Sequence, residues 1–412
     1  MDLAQKIVVD DRFRARSVIA EASDRRLVVE WADGRISRFP YIWLRHACFF
    51  PVQGRPEQAP DAAPLLVEDP DLPVIGGLAW DDVTVSIDWS HDGSTTRHDL
   101  ADLRRFCISD AARAERSPPA KTWTANDALD FPWFTPGSLD KPEERLAVFE
   151  HLMTRGIVLL RGFPTDRKTL FAIADRFGPI RRTHFGDVFD IRSTPQDNLG
   201  NREKVGATAH NAQAPHTDES YRHGPPGISV FHCLKPHPGG QGASIFLDGF
   251  KAAERLRMTN PDAFSLLSTT PVMYRAERNA EERFRTWQRM IATDHNGAVR
   301  GVAVSDRTLA PLSLPEDRIE PAYRAIRAFE EQLAATDLMF ERLLEPGEVV
   351  IFDNHRILHA RRAFDPMAGE RHLQQVAVDR EEFHNVMRLL AGKCGREDLA
   401  NLDTDSGVLT QR

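Results

Sequence analysis

The stretch GEVVIFDNHRILHARRAF (347–364) runs apolar from Val349 to Phe352, turns at Asp353-Asn354, and then delivers two histidines, His355 and His359. A short continuous apolar run bounded by turn residues reads as a buried strand. Three further segments share that reading: GISVFHCL (227–234), ASIFLDGF (243–250) and HLQQVAVD (372–379). Helical phrases stand ahead of and between them. In EERLAVFEHLMTRG (143–156), Leu146, Phe149, Leu152 and Met153 fall on one face, and Gly156 is a stop before the strand IVLLRGF. DRKTLFAIADRFG (166–178) repeats the logic. RIEPAYRAIRAFEEQLAAT (318–336) spaces Ile319, Tyr323, Ile326, Phe329 and Leu333 by four and three, which predicts an amphipathic helix with Tyr323 on its core face. Helices, strands, a helical insertion and more strands predict an α+β fold with a largely antiparallel sheet.

Working outward, 412 residues accommodate one large domain and a smaller one. The formal net charge of -8 gives no reason to expect nucleic acid as a partner. No segment approaches the roughly 20 apolar residues that cross a bilayer, and MDLAQKIVVDDRFRAR lacks the apolar centre of a secretory signal. The expectation is a cytoplasmic protein with no membrane partner. Cys48, Cys107, Cys233 and Cys394 lie far apart, which fits a reducing compartment. In the first hundred residues, LVVEWADGRISRFPYIWLR (27–45) and VTVSIDWSHDGSTTRHDLADLR (83–104) alternate apolar and polar residues around Asp-Gly and read as β-hairpins. PVQGRPEQAPDAAP (51–64) between them reads as a loop, and DAARAERSPPAKTW (110–123) as a linker. The expected division is a small β-rich domain over 1–110, a linker over 111–123, a large domain over 124–400 and a tail over 401–412.

In an extended segment alternate side chains share a face, so His216 and Asp218 of PHTDESYRHG (215–224) can point at one ion. Alone, that spacing is weak evidence. With a further histidine from the 347–364 stretch, two histidines and one carboxylate describe the facial triad of non-haem Fe(II) sites, which leaves three positions open. Arg371 follows His359 by twelve residues, room for the chain to turn and return on a neighbouring strand. A guanidinium there suits a dicarboxylate, which it can grip through two parallel hydrogen bonds.

These phrases, with WLRHAC (43–48), GIVLLRGF (156–163) and THFGDVFDI (183–191), occur in one order over almost the whole chain. In that order the chain resembles the gamma-butyrobetaine dioxygenase branch of the taurine dioxygenase-like (TauD/TfdA) Fe(II)/2-oxoglutarate oxygenases. The resemblance implies a double-stranded β-helix (jelly-roll) catalytic domain with flanking helices. It also implies Fe(II), with 2-oxoglutarate and O2 as cosubstrates, a small-molecule substrate and a homodimer. Carried over residue by residue, it makes His216, Asp218 and His359 the metal ligands, and leaves His355 beside the site or at the surface. It gives Arg371 and Ser244 to the distal carboxylate of 2-oxoglutarate. The implied reaction couples decarboxylation of 2-oxoglutarate to succinate with hydroxylation of a substrate C–H bond.

The match breaks at the substrate pocket. Quaternary ammonium groups are held in aromatic cages. Two cage aromatics fall on Phe185 and Phe189, but the others fall on Thr208 and Ala377, and the substrate-carboxylate asparagines on Val205 and on Val304 or Ser305. Tyr221, in the triad loop, is the tyrosine expected to reach substrate, while Tyr274 and Trp287 are alternative cage members. The altered pocket keeps open a sulfonate or phosphonate substrate. A non-catalytic β-rich binding protein conflicts with the presence of triad, serine and arginine together. Relatives hold a structural zinc in the first domain through three cysteines and a histidine. Here only Cys48 is at hand, with His46 and His91 nearby in sequence, so no zinc is expected.

Overall fold

The structure is a computed structural model and describes residues 11–47, 69–194, 210–277 and 282–404. It divides into two compact units, Met1–Ser117 and Pro118–Arg412.

In the first unit, β1 (Ala15–Glu21), β2 (Arg26–Trp31) and β3 (Ile36–Pro40) form one antiparallel sheet, followed by α1 (Tyr41–Ala47). A second is made of β4 (Ile75–Trp80), β5 (Thr84–Trp89) and β6 (Thr95–Asp99), followed by α2 (Leu100–Arg105). Alternation places Leu27, Val29, Trp31, Val85, Ile87 and Trp89 in one apolar cluster. The junction between the units falls inside the expected linker, whose first part is helical. Residues Asp110–Arg116 form α3, capped by the Ser109 hydroxyl, and Ala112 joins the cluster. Trp123 at the far end is buried in the second unit. The high polar content of 110–123 comes from the exposed faces of a short helix, which a composition-based reading cannot separate from a linker.

The second unit opens with α4 (Ala125–Leu129), β7 (Trp133–Phe134), α5 (Pro142–Arg155), β8 (Ile157–Leu160), α6 (Arg167–Ala174) and β9 (Phe189–Ser193). Next come β10 (Gln213–His216), β11 (Ile228–Lys235), β12 (Ser244–Asp248), α7 (Gly249–Thr259) and α8 (Pro261–Thr269). Two hairpins follow, β13 (Val272–Ala276) with β14 (Phe284–Gln288) and β15 (Ile291–Thr293) with β16 (Val299–Val302). The chain continues through α9 (Glu316–Leu333), β17 (Phe340–Arg342), β18 (Val349–Asp353), β19 (Ile357–Arg361), β20 (Arg371–Val378), α10 (Arg380–Lys393) and α11 (Glu397–Ala400). A six-stranded sheet has the order β7-β8-β18-β11-β20-β9 and a four-stranded sheet the order β10-β19-β12-β17. Among the described residues only β7 and β8 pair in parallel; the other pairings are antiparallel, as expected for an α+β fold.

Each sheet face has its own cover. Leu146, Phe149 and Leu152 of α5, Leu170 of α6 and Phe383 and Met387 of α10 pack on Val158, Val230 and Val376. Phe231, Phe352 and Leu373 of the large sheet meet Phe246, Phe340 and Ile357 of the small one. The helices α7, α8 and α9 form a third cluster with the hairpins. Gly156 ends α5 in the left-handed region, at φ 78°. A Cβ there would lie 2.7 Å from Arg356 Cδ, so both backbone conformation and packing call for glycine.

Three sequence expectations change. In α9 the buried stripe is Ala322, Ala325, Ile326, Phe329 and Leu333, whereas Tyr323 is 45% exposed and its hydroxyl accepts from the Leu312 amide at 3.3 Å. Small alanines let the helix approach closely and rotate the larger ring to the rim. The strand expected over 243–250 stops at Asp248, whose carboxylate accepts from the Phe250 amide and caps α7. The expected tail begins inside the fold, because Leu402 packs in the same cluster as α5 and α10.

Candidate metal centre and its pocket

Three elements bring the triad together. His216 ends β10 and His359 lies in β19 as its direct cross-strand partner, with ring centroids 4.3 Å apart. Asp218 follows in the turn, and its Oδ1 lies 3.8 Å from His216 Nε2 and 3.5 Å from His359 Nε2. Among the described residues this is the one group of three or more metal-capable side chains whose ligand atoms all lie within 4.8 Å of one another. His216 Nδ1 donates to the Ala214 carbonyl at 2.9 Å, which turns the Nε2 lone pair toward Asp218. Burial pushes the imidazolium of His359 down to about 3, so its ring is neutral and able to ligate at physiological pH. Two ring nitrogens and one carboxylate oxygen, converging within 4.8 Å of one another, fit a divalent iron with open positions.

The Asp218 loop is clamped. Asn354, buried at the end of the β18 turn, accepts from the Asp218 amide through Oδ1 at 2.7 Å. Its Nδ2 donates to the carbonyls of Asp218 at 3.1 Å and Pro226 at 3.0 Å. On β20, Gln375 Nε2 donates to Asp218 Oδ2 at 2.7 Å. Sequence reasoning missed both residues. Asn354 sits in the quoted motif beside the strand end, a signal that was available, whereas nothing local marks Gln375. His355 turns away, with its amide bonded to Asp353 Oδ1 and its ring facing the Pro225 carbonyl.

Arg371 begins β20, pairs with Ser193 of β9 and is 6% exposed, and its guanidinium has no hydrogen bond or ion pair among the described residues. Burial draws its guanidinium down to about 10, so it remains a cation at neutral pH in want of an anion. Its guanidinium carbon stands 5.9 Å from the Phe364 ring, and that of Arg361 5.0 Å from the same ring. Arg361, in turn, is the cross-strand partner of Ser244. Burial first, and then the charges of Arg371 and Arg307, lower Arg361 to about 9. Ser244 on β12 and Arg371 on β20 are linked through Arg361, the cross-strand partner of the first and a buried cation that feels the charge of the second, and Arg361 is an addition not expected from sequence.

A cavity beside the metal group is lined by Phe185, Phe189, Asp218, Glu219, Gln375 and Ala377. The rings of Phe185 and Phe189 lie 4.6 Å apart. Glu219 has a positive φ of 52°, and burial outweighs the neighbouring Arg222 to raise its carboxyl above the usual range. Arg222 bonds to Glu219 and to His184 Nδ1 and stacks 4.3 Å over Phe284. Tyr221, expected at the substrate, is instead 3% exposed and packed in the cluster of α7, α8 and α9, with its ring 5.6 Å from Phe284. The turn after Asp218 points it into the core, which a spacing argument does not resolve. Tyr274 is fully buried, donating to the Ala303 carbonyl at 2.6 Å, and Trp287 is 40% exposed, so neither lines the cavity. Val304 and Ser305 are buried, the former accepting from the Thr217 amide. Thr208, Val205 and Cys48 lie outside the described residues.

Residues 115–377 match the family described as Taurine catabolism dioxygenase TauD, TfdA family. Gamma-butyrobetaine dioxygenase of Pseudomonas sp. (strain AK-1) is 34% identical over 362 residues, covering 86% of this chain and 91% of the relative. Mitochondrial trimethyllysine dioxygenase of Bos taurus is 28% identical, covering 86% of this chain and 83% of the relative. Among solved structures, PvcB, an Fe, alpha-ketoglutarate dependent oxygenase from an isonitrile synthetic pathway, aligns with TM-score 0.43 and 19% identity, covering 60% of this chain and 82% of that one.

Proposed function

This chain belongs to the TauD, TfdA family of dioxygenases and works with Fe(II), 2-oxoglutarate and O2, and from that premise we propose that it hydroxylates a small metabolite in a gamma-butyrobetaine hydroxylase-like reaction with an altered substrate pocket. The observation that carries the reading is the meeting of His216, Asp218 and His359 beside a cavity walled by Phe185 and Phe189. In the same reading the six- and four-stranded sheets are the two halves of a double-stranded β-helix, and the protein is a cytoplasmic homodimer. Bound iron would supply the redox chemistry with dioxygen and chelate the 2-oxo acid. The chain's own residues do the rest. Arg371, with Ser244, anchors the distal carboxylate and so fixes the position of the 2-oxo end. The buried Phe231 and Phe352, with rings 5.2 and 5.3 Å from His359, keep water from the inner side of the site. Phe185 and Phe189 orient the substrate over the opening.

The altered pocket rests on Ala377. It lines the cavity where the resemblance places a cage tyrosine, so an aromatic wall is replaced by a methyl group. A full quaternary-ammonium cage is therefore not expected, and the substrate differs in its cationic end. The test is succinate formation by anaerobically iron-loaded protein given 2-oxoglutarate and O2, screened across betaines, amino acids, sulfonates and phosphonates, with Asp218→Ala as control. Asp218-dependent turnover on a candidate other than gamma-butyrobetaine supports the reading. Turnover on gamma-butyrobetaine at the rate of a caged enzyme overturns the altered pocket, and a screen with no Asp218-dependent succinate overturns the activity.

A further inference from the structure

We propose that Gln375 is a positioning residue that holds Asp218 to one-oxygen coordination of the metal and so keeps a position open for dioxygen. The inference rests on the reading of the triad as an iron site. The two oxygens of the Asp218 carboxylate face different ways. Oδ1 faces His216 Nε2 and His359 Nε2, at 3.8 and 3.5 Å, while Oδ2 accepts from Gln375 Nε2 at 2.7 Å. A carboxylate can ligate through one oxygen or chelate through both. Three one-atom protein ligands leave three positions, two for a chelating 2-oxo acid and one for dioxygen. A chelating aspartate would take the last of them. The Gln375 hydrogen bond engages a lone pair of Oδ2 and turns that oxygen toward β20, which disfavours the second bond while leaving Oδ1 directed at the metal.

The fold fixes Gln375 for this task. On β20, Arg371, Leu373, Gln375 and Ala377 alternate onto one face, so the cosubstrate arginine, the glutamine and the substrate-cavity alanine form a row. Gln375 is the cross-strand partner of Phe231 in β11 and of Phe189 in β9. Phe231 stacks edge-on at 5.2 Å against His359, and Phe189 walls the substrate cavity. The side chain is therefore wedged between a ring that touches a metal ligand and one that faces substrate. Asn354 holds the Asp218 backbone from the other side, so the carboxylate cannot swing to regain both oxygens by moving the loop. Adjacent Gln374 points to the opposite face and donates to Asp190 at 2.8 Å, which makes it an internal control.

The experiment loads the full chain with Mn(II) and measures the water-proton relaxation of the bound ion, which counts the waters in its open positions. The variants are Gln375→Met, which keeps the length and removes the donor, and Gln375→Leu as a second should the first fail to fold. Gln374→Met and Asp218→Ala complete the set. The expected result is a fall of about a third in bound-water relaxivity in the Gln375 variants, as three open positions become two, with no change in Gln374→Met. With Fe(II), succinate formation should fall about tenfold or more in kcat while KM for 2-oxoglutarate stays within about twofold, because Arg371 is untouched. Unchanged relaxivity in a folded Gln375 variant that still binds Mn(II) overturns the inference. Failure of the underlying site reading looks different: the unmodified protein would then bind Mn(II) no better than Asp218→Ala.

Discussion

In the proposed function Arg371 is the residue that binds the cosubstrate. A buried guanidinium with no carboxylate partner among the described residues is costly, and a bound dicarboxylate relieves it. A charge-assisted pair contributes on the order of 1.5–3 kcal/mol or more. Arg371→Met should therefore raise KM for 2-oxoglutarate about 100-fold while Mn(II) affinity remains that of the unmodified protein. Titration of the Mn(II) form with 2-oxoglutarate checks it, and a shift below about threefold would remove Arg371 from the cosubstrate site. At this scale the His216–Asp218 pair was legible in sequence because ligand chemistry restricts residue type and strand spacing restricts position, whereas the choice of His359 over His355 and the place given to Arg371 came from the family resemblance. Gln375 and Arg361 were not legible, since a glutamine or a second arginine becomes informative only when the fold brings the Asp218 turn against the first and Ser244 across from the second. Tyr221 was misread for the same reason: its placement depends on the turn after Asp218, where Glu219 takes a left-handed φ of 52°.

At the level of elements, β19 and α7 are joined by a buried ion pair that the sequence does not announce. Arg356, 2% exposed, donates to both oxygens of Asp248 at 3.0 and 2.9 Å and to the carbonyls of Thr154 and Lys121. Asp248 also accepts from the amides of Trp123 and Phe250. The pair thus ties the start of the unit, the end of α5, the cap of α7 and the strand that carries His359. Removing one partner leaves the other charged and buried, a loss of about 3–5 kcal/mol. Arg356→Met should lower the Tm by about 10 °C, and Arg356→Met with Asp248→Leu should recover part of the loss. A calorimetric scan decides it, and a fall under about 2 °C for the single variant would show the pair to be dispensable. The strands and long helices were readable from periodicity. The α3 helix at 110–116 was not, because its single buried alanine gives no apolar period.

For the molecule as a whole, acid is the expected weakness of the second unit. Burial, and then the neighbouring Arg380, hold His384 down to about 3; burial and Arg155 hold His151 down to about 4. Both folded values lie below the ~6.5 of a free imidazole, so the unfolded chain takes up protons first as pH falls. Stability should be flat above about pH 6.5. It should decline between there and about pH 4, with a slope of roughly 1.4 kcal/mol per pH unit for each of these two histidines, and for His359 as well in the metal-free protein. Urea unfolding at pH 7, 6 and 5 tests this. His384→Phe should flatten the slope by one histidine's share, and an unchanged slope would sink the assignment. The sequence by itself determined most of the strand and helix content and offered His216, Asp218 and Arg371 as candidates to hold a metal or a carboxylate, because these rest on local periodicity and on the few residue types that bind such groups. Only the tertiary structure decided which Asp218 oxygen faces the histidines, that Ala377 shares one cavity wall with Phe185 and Phe189, and that Tyr221 and Tyr274 belong to the core. Those outcomes depend on the registers of β9, β11, β19 and β20, and register is fixed by the packing of whole sheets rather than by any one segment.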